Sequence, residues 1–324
     1  MPLEPTSRAH AAQIAAGIEG RRYGHRFESA LTETINSIED ISMIDASGVS
    51  GEVVSGLPAE RLLQVIFASE NINPNDVSSI CAYWLGGLAT GAGSGGTILL
   101  DLETDLPISG SSKSDVVIDI ILISRETIRR GVSVKSCSTP RPTNDQLFFT
   151  QAVAFSRHLR RIGLDVSSEM ENDLRRFCGD DGFCPTDILS GSELERREGW
   201  SNRFFWEELD SRDQWENLFN THQERITYFL LAEGAYVDDP ISPTYVLHQA
   251  RGYEDYSDVE MYITTVDGLV TSSLQNSSFN TRPYTTKGAR HLAPRFGFIQ
   301  FQRGGQKQHP TQLQFNLQAG YFFR

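Results

Sequence analysis

The run Asp115-Val-Val-Ile-Asp-Ile-Ile-Leu-Ile123 constrains this chain more than any other stretch. It is β-branched and apolar enough to be a buried strand, so the fold must build a sheet around it. Ser124–Arg130 reads as a charged turn, and Gly131-Val-Ser-Val-Lys-Ser-Cys137 as a second strand with period-2 alternation. In an antiparallel pair the start of the first strand lies beside the end of the second. Asp115 and Lys135 therefore meet at one rim, with Ser133 and Lys135 on one face. A carboxylate and a lysine at a strand end can bind a divalent cation and steer a water, which is the chemistry of phosphodiester cleavage.

The remaining pattern predicts a mixture of helices and strands. Helical spacing of Ile14, Ile18, Phe27, Leu31 and Ile35 predicts a helix over 7–38, broken or bent at Gly17, Gly20 and Gly24. Further helices are predicted over 59–68, 76–89, 144–162, 169–177 and 215–232. Short strands are predicted over 98–102, 261–266, 298–302 and 312–317, the last two forming a hairpin. Its inward set is Ile299, Phe301, Leu313, Phe315 and Leu317; its outward set is amide-rich, Gln300, Gln302, Gln312, Gln314, Asn316 and Gln318. Amide side chains can bond base edges or phosphates, and a solvated sheet face explains them equally well. The glycine-rich stretch 90–97 lacks the Gly-Lys-Ser/Thr ending of a nucleotide-binding loop and is expected to be a turn.

A chain of 324 residues can bury a large core, as one domain or two merged lobes. The net charge of −13 argues at first against a polyanion, but the charge is unevenly distributed. No Asp or Glu follows Asp267, while Arg282, Lys287, Arg290, Arg295, Arg303, Lys307 and Arg324 do; residues 1–267 hold 22 basic against 42 acidic side chains. Such asymmetry points to a polyanion-binding face at the basic end. The four cysteines, Cys81, Cys137, Cys178 and Cys184, form no zinc or disulfide framework and fit reduced thiols in the cytosol. No run suits a membrane span, and the first residues lack the pattern of a secretory signal.

The stretches Gly24-His-Arg-Phe-Glu28, Ser112-Lys-Ser-Asp115 and Ser133-Val-Lys135, in a helix–strand–hairpin order, resemble the PD-(D/E)XK nuclease superfamily. Within it the chain looks like a type II restriction endonuclease, most similar to the MspI-type enzymes. The resemblance implies an α/β (α+β) fold with a mixed central β-sheet flanked by helices, and a β-rich C-terminal DNA-binding part. It covers residues 20–165 best, so the expected division is a catalytic core over 1–165 and a recognition portion over 166–324, merged into one domain. Asp115 is then the main Mg²⁺ ligand and Lys135 the residue that positions the attacking water. Where the superfamily usually has an acid this chain has Ser133, so Glu28 from the first helix is the candidate second carboxylate. The plainer readings are that Asp115 opens a strand, Lys135 snorkels from a strand end, and Glu28 is a surface helix residue.

The resemblance further implies that the loop after the Lys135 strand reads bases, which makes Arg141 and Asn144 candidate base readers, with Gln146 following them. Arginine suits guanine and asparagine suits adenine, although Asn144 equally suits a helix cap. Arg303, Lys307 and Gln314 are the DNA-contacting candidates of the closing hairpin. The implied protein is a cytoplasmic bacterial Mg²⁺-dependent endonuclease on double-stranded DNA, a homodimer acting with a cognate DNA methyltransferase. A repair or structure-specific nuclease of the same fold, or a non-catalytic DNA-binding protein, are the alternatives.

Overall fold

The computed structural model describes residues 5, 7–85, 99–105, 112–137, 144–197, 202–234, 239, 241–249, 259–276, 279–286, 289–304 and 311–323. The chain opens with α1 (Arg8–Asn36), β1 (Glu52–Gly56), α2 (Pro58–Glu70), β2 (Val77–Trp84), β3 (Val116–Leu122) and β4 (Thr127–Ser136). Next come β5 (Asp145–Gln151), α3 (Ala152–Arg161), α4 (Ser168–Cys178), α5 (Pro185–Ile188), α6 (Gly191–Arg196), α7 (Arg212–Thr221) and α8 (Gln223–Tyr228). It closes with β6 (Pro243–Gln249), β7 (Val259–Thr265), α9 (Val266–Gln275), β8 (Asn280–Thr286), β9 (Ala289–Phe296), β10 (Ile299–Arg303) and β11 (Gln312–Leu317). No helix among the described residues is long and apolar enough to cross a membrane.

Two compact units emerge, each assembled from discontinuous stretches. Of the described residues, one comprises those from 5 to 137 together with those in 231–269 and 319–323; the other comprises those in 144–230 and 270–318. A single cut at residue 165 therefore does not trace them: the chain leaves the first unit near 143 and returns at 231 to add β6 and β7.

The first unit carries a six-stranded mixed sheet, ordered β1-β7-β6-β4-β3-β2, in which β4 and β6 run parallel and the other pairs antiparallel. β3 lies inside the sheet, and Val116, Val117, Ile118 and Ile120 are wholly buried. Such two-sided cover explains the near-continuous apolar run. Phe27, Leu31 and Ile35 of α1 and Leu62, Leu63, Ile66 and Phe67 of α2 pack with Val116, Ile118, Ile120, Val132 and Val134 in one core. Val117 joins Leu85, Leu99 and Ile241 in a second, smaller cluster. The Asn36 side chain accepts from Ala82 N–H (2.7 Å) and donates to Ala82 O (2.9 Å), pinning α1 to the edge strand β2.

Several expected elements differ. α1 runs unbroken through Gly17, Gly20 and Gly24, whose helical cost of roughly 1 kcal/mol each the packing of its C-terminal half outweighs. The segment expected as a helix from Asp76 is β2, because Val77, Ile80, Tyr83 and Trp84 are β-formers and the segment pairs with β3. Of the strand expected over 98–102, only an isolated bridge at Leu100 is present and Ile98 lies outside the described residues.

The second unit holds an antiparallel five-stranded sheet, ordered β5-β11-β10-β9-β8. Here too a predicted helix yields: 145–151 is the strand β5, and the helix begins only at Ala152. Phe148, Phe149 and Thr150 favour the pleated conformation and gain β11 as a partner. The inward side chains of β10 and β11 are buried as expected, at 1% exposure or less. They meet rings from the helices: Phe155 packs on Trp215 (6.4 Å) and Phe315 (4.8 Å), and Phe301 on Trp206 (5.3 Å) and Phe219 (5.1 Å). Gly297 joins β9 to β10 at φ +48, where a Cβ would stand 2.0 Å from Ser273 Oγ, so the turn needs glycine.

Candidate active site

Asp115 stands one residue before β3, fixed at both backbone ends. Its N–H donates to Val132 O (2.9 Å), and its carbonyl accepts from Leu85 N–H (3.1 Å). Alternation along β4 sends Val132 and Val134 into the α1-covered core, and Ser133 and Lys135 to the opposite face. Three donors then converge on one oxygen, Asp115 Oδ2: Val134 N–H at 2.7 Å, Ser133 Oγ at 3.4 Å and Lys135 Nζ at 3.5 Å. The ammonium also donates to Ser133 Oγ (3.0 Å) and Val134 O (3.2 Å), so it is held from three sides. Asp115 and Lys135 keep about a fifth of their side chains exposed (19% and 21%), enough to meet a ligand.

Glu28 arrives from α1. Gly24, one turn earlier, has its Cβ direction 3.6 Å from Glu28 Oε1 and 3.8 Å from Ser136 Oγ, which places this helical turn beside the end of β4. Glu28 is buried, and its Oε2 accepts from the Trp84 indole at 2.9 Å. Burial first, and then the Asp115 charge, push its carboxyl up to about 7, against the Trp84 hydrogen bond and the Lys135 charge. The Asp115 charge thus raises the proton affinity of Glu28, while the Lys135 ammonium beside Asp115 offsets part of it.

Each carboxylate gives one oxygen to protein donors. Among the described residues, Asp115 Oδ1 and Glu28 Oε1 accept no hydrogen bond. Two carboxylate oxygens with the Ser133 hydroxyl suit a hard, hydrated divalent cation, which takes one or two carboxylates and retains waters. No group of three or more His, Cys, Asp or Glu side chains forms a metal-holding cluster among the described residues.

Two neighbours of the site carry no role in the sequence reading: Trp84, which falls inside the helix expected over 76–89, and Lys113, which enters only within the Ser112-Lys-Ser-Asp115 stretch. Lys113 feels the charges of Lys135, Asp115, Asp239 and Glu233, and desolvation with the nearby Lys135 lowers its pKa to about 7. His248 was missed too: it is buried on β6 as the cross-strand neighbour of Lys135, with Phe323 edge-on at 5.0 Å. An aromatic at the end of a β-forming run was the available signal for Trp84; none marked His248, because a parallel neighbour is remote in sequence.

The predicted DNA contacts fare unevenly. Arg141 and Lys307 lie outside the described residues. Asn144 is exposed and precedes a strand, so it caps no helix. Gln146 is exposed on β5 opposite Asn316. Gln314, half-buried, donates to Asn316 Oδ1 at 3.0 Å. Gln300, Asn316 and Gln318 of the outward row are buried, and Gln318 donates to Gln300 Oε1 at 3.2 Å. The row is therefore partly self-satisfied, with access kept at Gln302, Gln312 and Gln314 near the hairpin turn. Arg303 shares its face with Phe301, and its charge acts on Cys178 and Cys184, so it lies on the aromatic side rather than with the amides.

No family model matches the chain, and no curated protein sequence does. Among solved structures, the fold is similar to that of the restriction endonuclease MspI in complex with its cognate DNA, at 10% identity, with 80% of this chain and 78% of that chain covered and a TM-score of 0.43.

Proposed function

We propose that the chain is a Mg²⁺-dependent endonuclease that cuts double-stranded DNA at specific sites, as a type II restriction endonuclease does. The observation that carries this reading is the convergence of Asp115, Ser133, Lys135 and Glu28 onto one rim of the first unit's sheet.

The free oxygens of Asp115 and Glu28, with Ser133, would hold the cation. When bound, Mg²⁺ supplies a Lewis acid for the phosphate and lowers the pKa of a bound water. Ser133 Oγ and Val134 O orient the Lys135 ammonium, which places the attacking water and neutralises charge gathering on the phosphate oxygens. A water–phosphorus bond forms as the phosphorus–O3′ bond breaks, leaving a 5′-phosphate; the proton lost by water ends on the 3′-oxygen through solvent. Burial of Glu28 and the Trp84 hydrogen bond keep its carboxylate fixed, so the ligands need little rearrangement.

Site recognition falls in this reading to Asn144, Gln146 and the accessible amides around Gln314, with Arg141 and Lys307. A palindromic site calls for a homodimer, and a host that carries such an enzyme needs a cognate DNA methyltransferase. The test is incubation of unmethylated phage DNA with the protein in Mg²⁺ and in EDTA. Discrete Mg²⁺-dependent fragments are expected. Cleavage confined to mismatched or branched DNA would select a structure-specific nuclease, and metal-independent binding without cleavage a non-catalytic DNA-binding protein.

A further inference from the structure

The three residues before Asp115 are stitched to a short segment ahead of β6. Asp239 Oδ2 accepts from the Lys113 N–H (2.8 Å) and from Ser112 Oγ (3.0 Å); Asp239 Oδ1 accepts from the Ile241 N–H (2.9 Å). Ile241 O accepts from Ser114 Oγ (2.5 Å) and lies 3.1 Å from Ser112 Oγ, which in turn accepts from the Ser114 N–H (3.1 Å). Ser112 and Ser114 are buried at 6% and 0% exposure, so these bonds are not exchanged freely with water. Gly131 on β4 completes the knot. A Cβ there would stand 2.2 Å from Ser114 Oγ and 2.8 Å from Ile241 O, so only glycine lets the segments close over β4.

We propose that Asp239 is the positioning residue of the active site, setting the direction in which Asp115 leaves the chain and therefore its gap to Glu28 and Lys135. This rests on the nuclease reading given above. Asp239 touches neither a ligand position nor the reacting atoms; it acts through residues 112–114, the last three before Asp115. A carboxylate is required because donors meet both of its oxygens. An asparagine at this position cannot replace it: the amide would turn its own NH₂ toward either the Lys113 or the Ile241 N–H. The same bonds direct the Lys113 backbone toward Asp239 while its side chain remains in the field of Asp115 and Lys135.

The experiment compares wild type, Asp239→Asn and the double variant Ser112→Ala/Ser114→Ala, at a temperature where circular dichroism shows each folded. Single-turnover cleavage, the Mg²⁺ concentration for half-maximal rate, and duplex affinity in Ca²⁺ are read for each. Displacing a catalytic group by about 1 Å costs on the order of 100-fold in rate, so Asp239→Asn is expected to lose that much. Its half-saturating Mg²⁺ should rise several-fold, while DNA affinity stays within about twofold. The serine double variant keeps Asp239 and should show a smaller loss of the same kind, which covers the case in which Asp239→Asn fails to fold. Wild-type rate and unchanged Mg²⁺ dependence in Asp239→Asn, or in the serine variant if only that one folds, would overturn the proposal. A wild type that cuts no DNA overturns the nuclease reading itself, a result distinct from an active wild type with an indifferent variant.

Discussion

The Trp84 indole donates to Glu28 Oε2 at 2.9 Å, across 56 residues of sequence, and fixes the one carboxylate of the site that comes from a helix. This bond is the strongest influence lowering the Glu28 proton affinity against burial and the Asp115 charge. Removing it with Trp84→Phe leaves the charged form less stabilised, so the Glu28 pKa rises further. The pH at half-maximal cleavage should therefore move upward, by on the order of one unit, as read from rates between about pH 6 and 9 at fixed Mg²⁺. An unchanged profile would show that Glu28 does not gate the reaction.

Glu28 also gives the metal-free protein a pH-dependent stability. Its carboxyl is raised from 4.5 to about 7 in the folded state, so the folded protein holds the proton more firmly than the unfolded chain. Stability from this group is full below pH 4.5 and declines as the pH rises through about 7. The shift corresponds to roughly 3 kcal/mol. In EDTA, Glu28→Gln should be more stable than wild type at about pH 8, with the gap closing toward about pH 5; urea unfolding at the two pH values reads this directly. Mg²⁺ should restore stability to wild type at the higher pH and not to the variant.

Asp119 and Arg129 form a two-bond pair across the hairpin, at 2.7 and 2.6 Å, with little exposure of either side chain. Asp119→Ala would leave the guanidinium buried without its carboxylate, and breaking such a pair costs about 3 kcal/mol or more. Urea denaturation should show this loss, whereas Asp45→Ala, which removes an exposed carboxylate bonded to Ser47, should cost under about 1 kcal/mol.

In the second unit, Phe301 is wholly buried among Trp206, Phe219 and Phe315. Phe301→Ala should destabilise the protein by about 3–5 kcal/mol, read by denaturant unfolding. Gln302→Ala on the neighbouring, partly exposed face should be close to neutral.

The hairpin carrying Asp115, Ser133 and Lys135 was legible in the sequence because its information is local: a β-branched run and an alternating strand place the three without any long-range contact. The second strand nevertheless starts at Thr127, inside the turn expected over 124–130, because Thr127–Arg130 gain β3 as a partner. Glu28 was reachable only through the family resemblance, since its approach to Asp115 depends on how α1 packs over the sheet. β2 and β5 read as helices in the sequence because their apolar spacing fits both periods, and the choice is made by β3 and β11, strands with open pairing edges. Asp239 has no local signal. Its partners Ser112 and Lys113 lie 127 and 126 residues away, and an aspartate before a strand is an ordinary loop residue until the fold closes.

Lys135 acting at a metal-dependent phosphodiester cut is the centre of the proposed mechanism. Its most direct test is cleavage of unmethylated phage DNA by wild type and by Lys135→Ala, each in Mg²⁺ and in EDTA. Discrete fragments from wild type in Mg²⁺, absent in EDTA and reduced by at least about 100-fold in the variant, are predicted. Cleavage that persists in Lys135→Ala, or in EDTA, would contradict this mechanism.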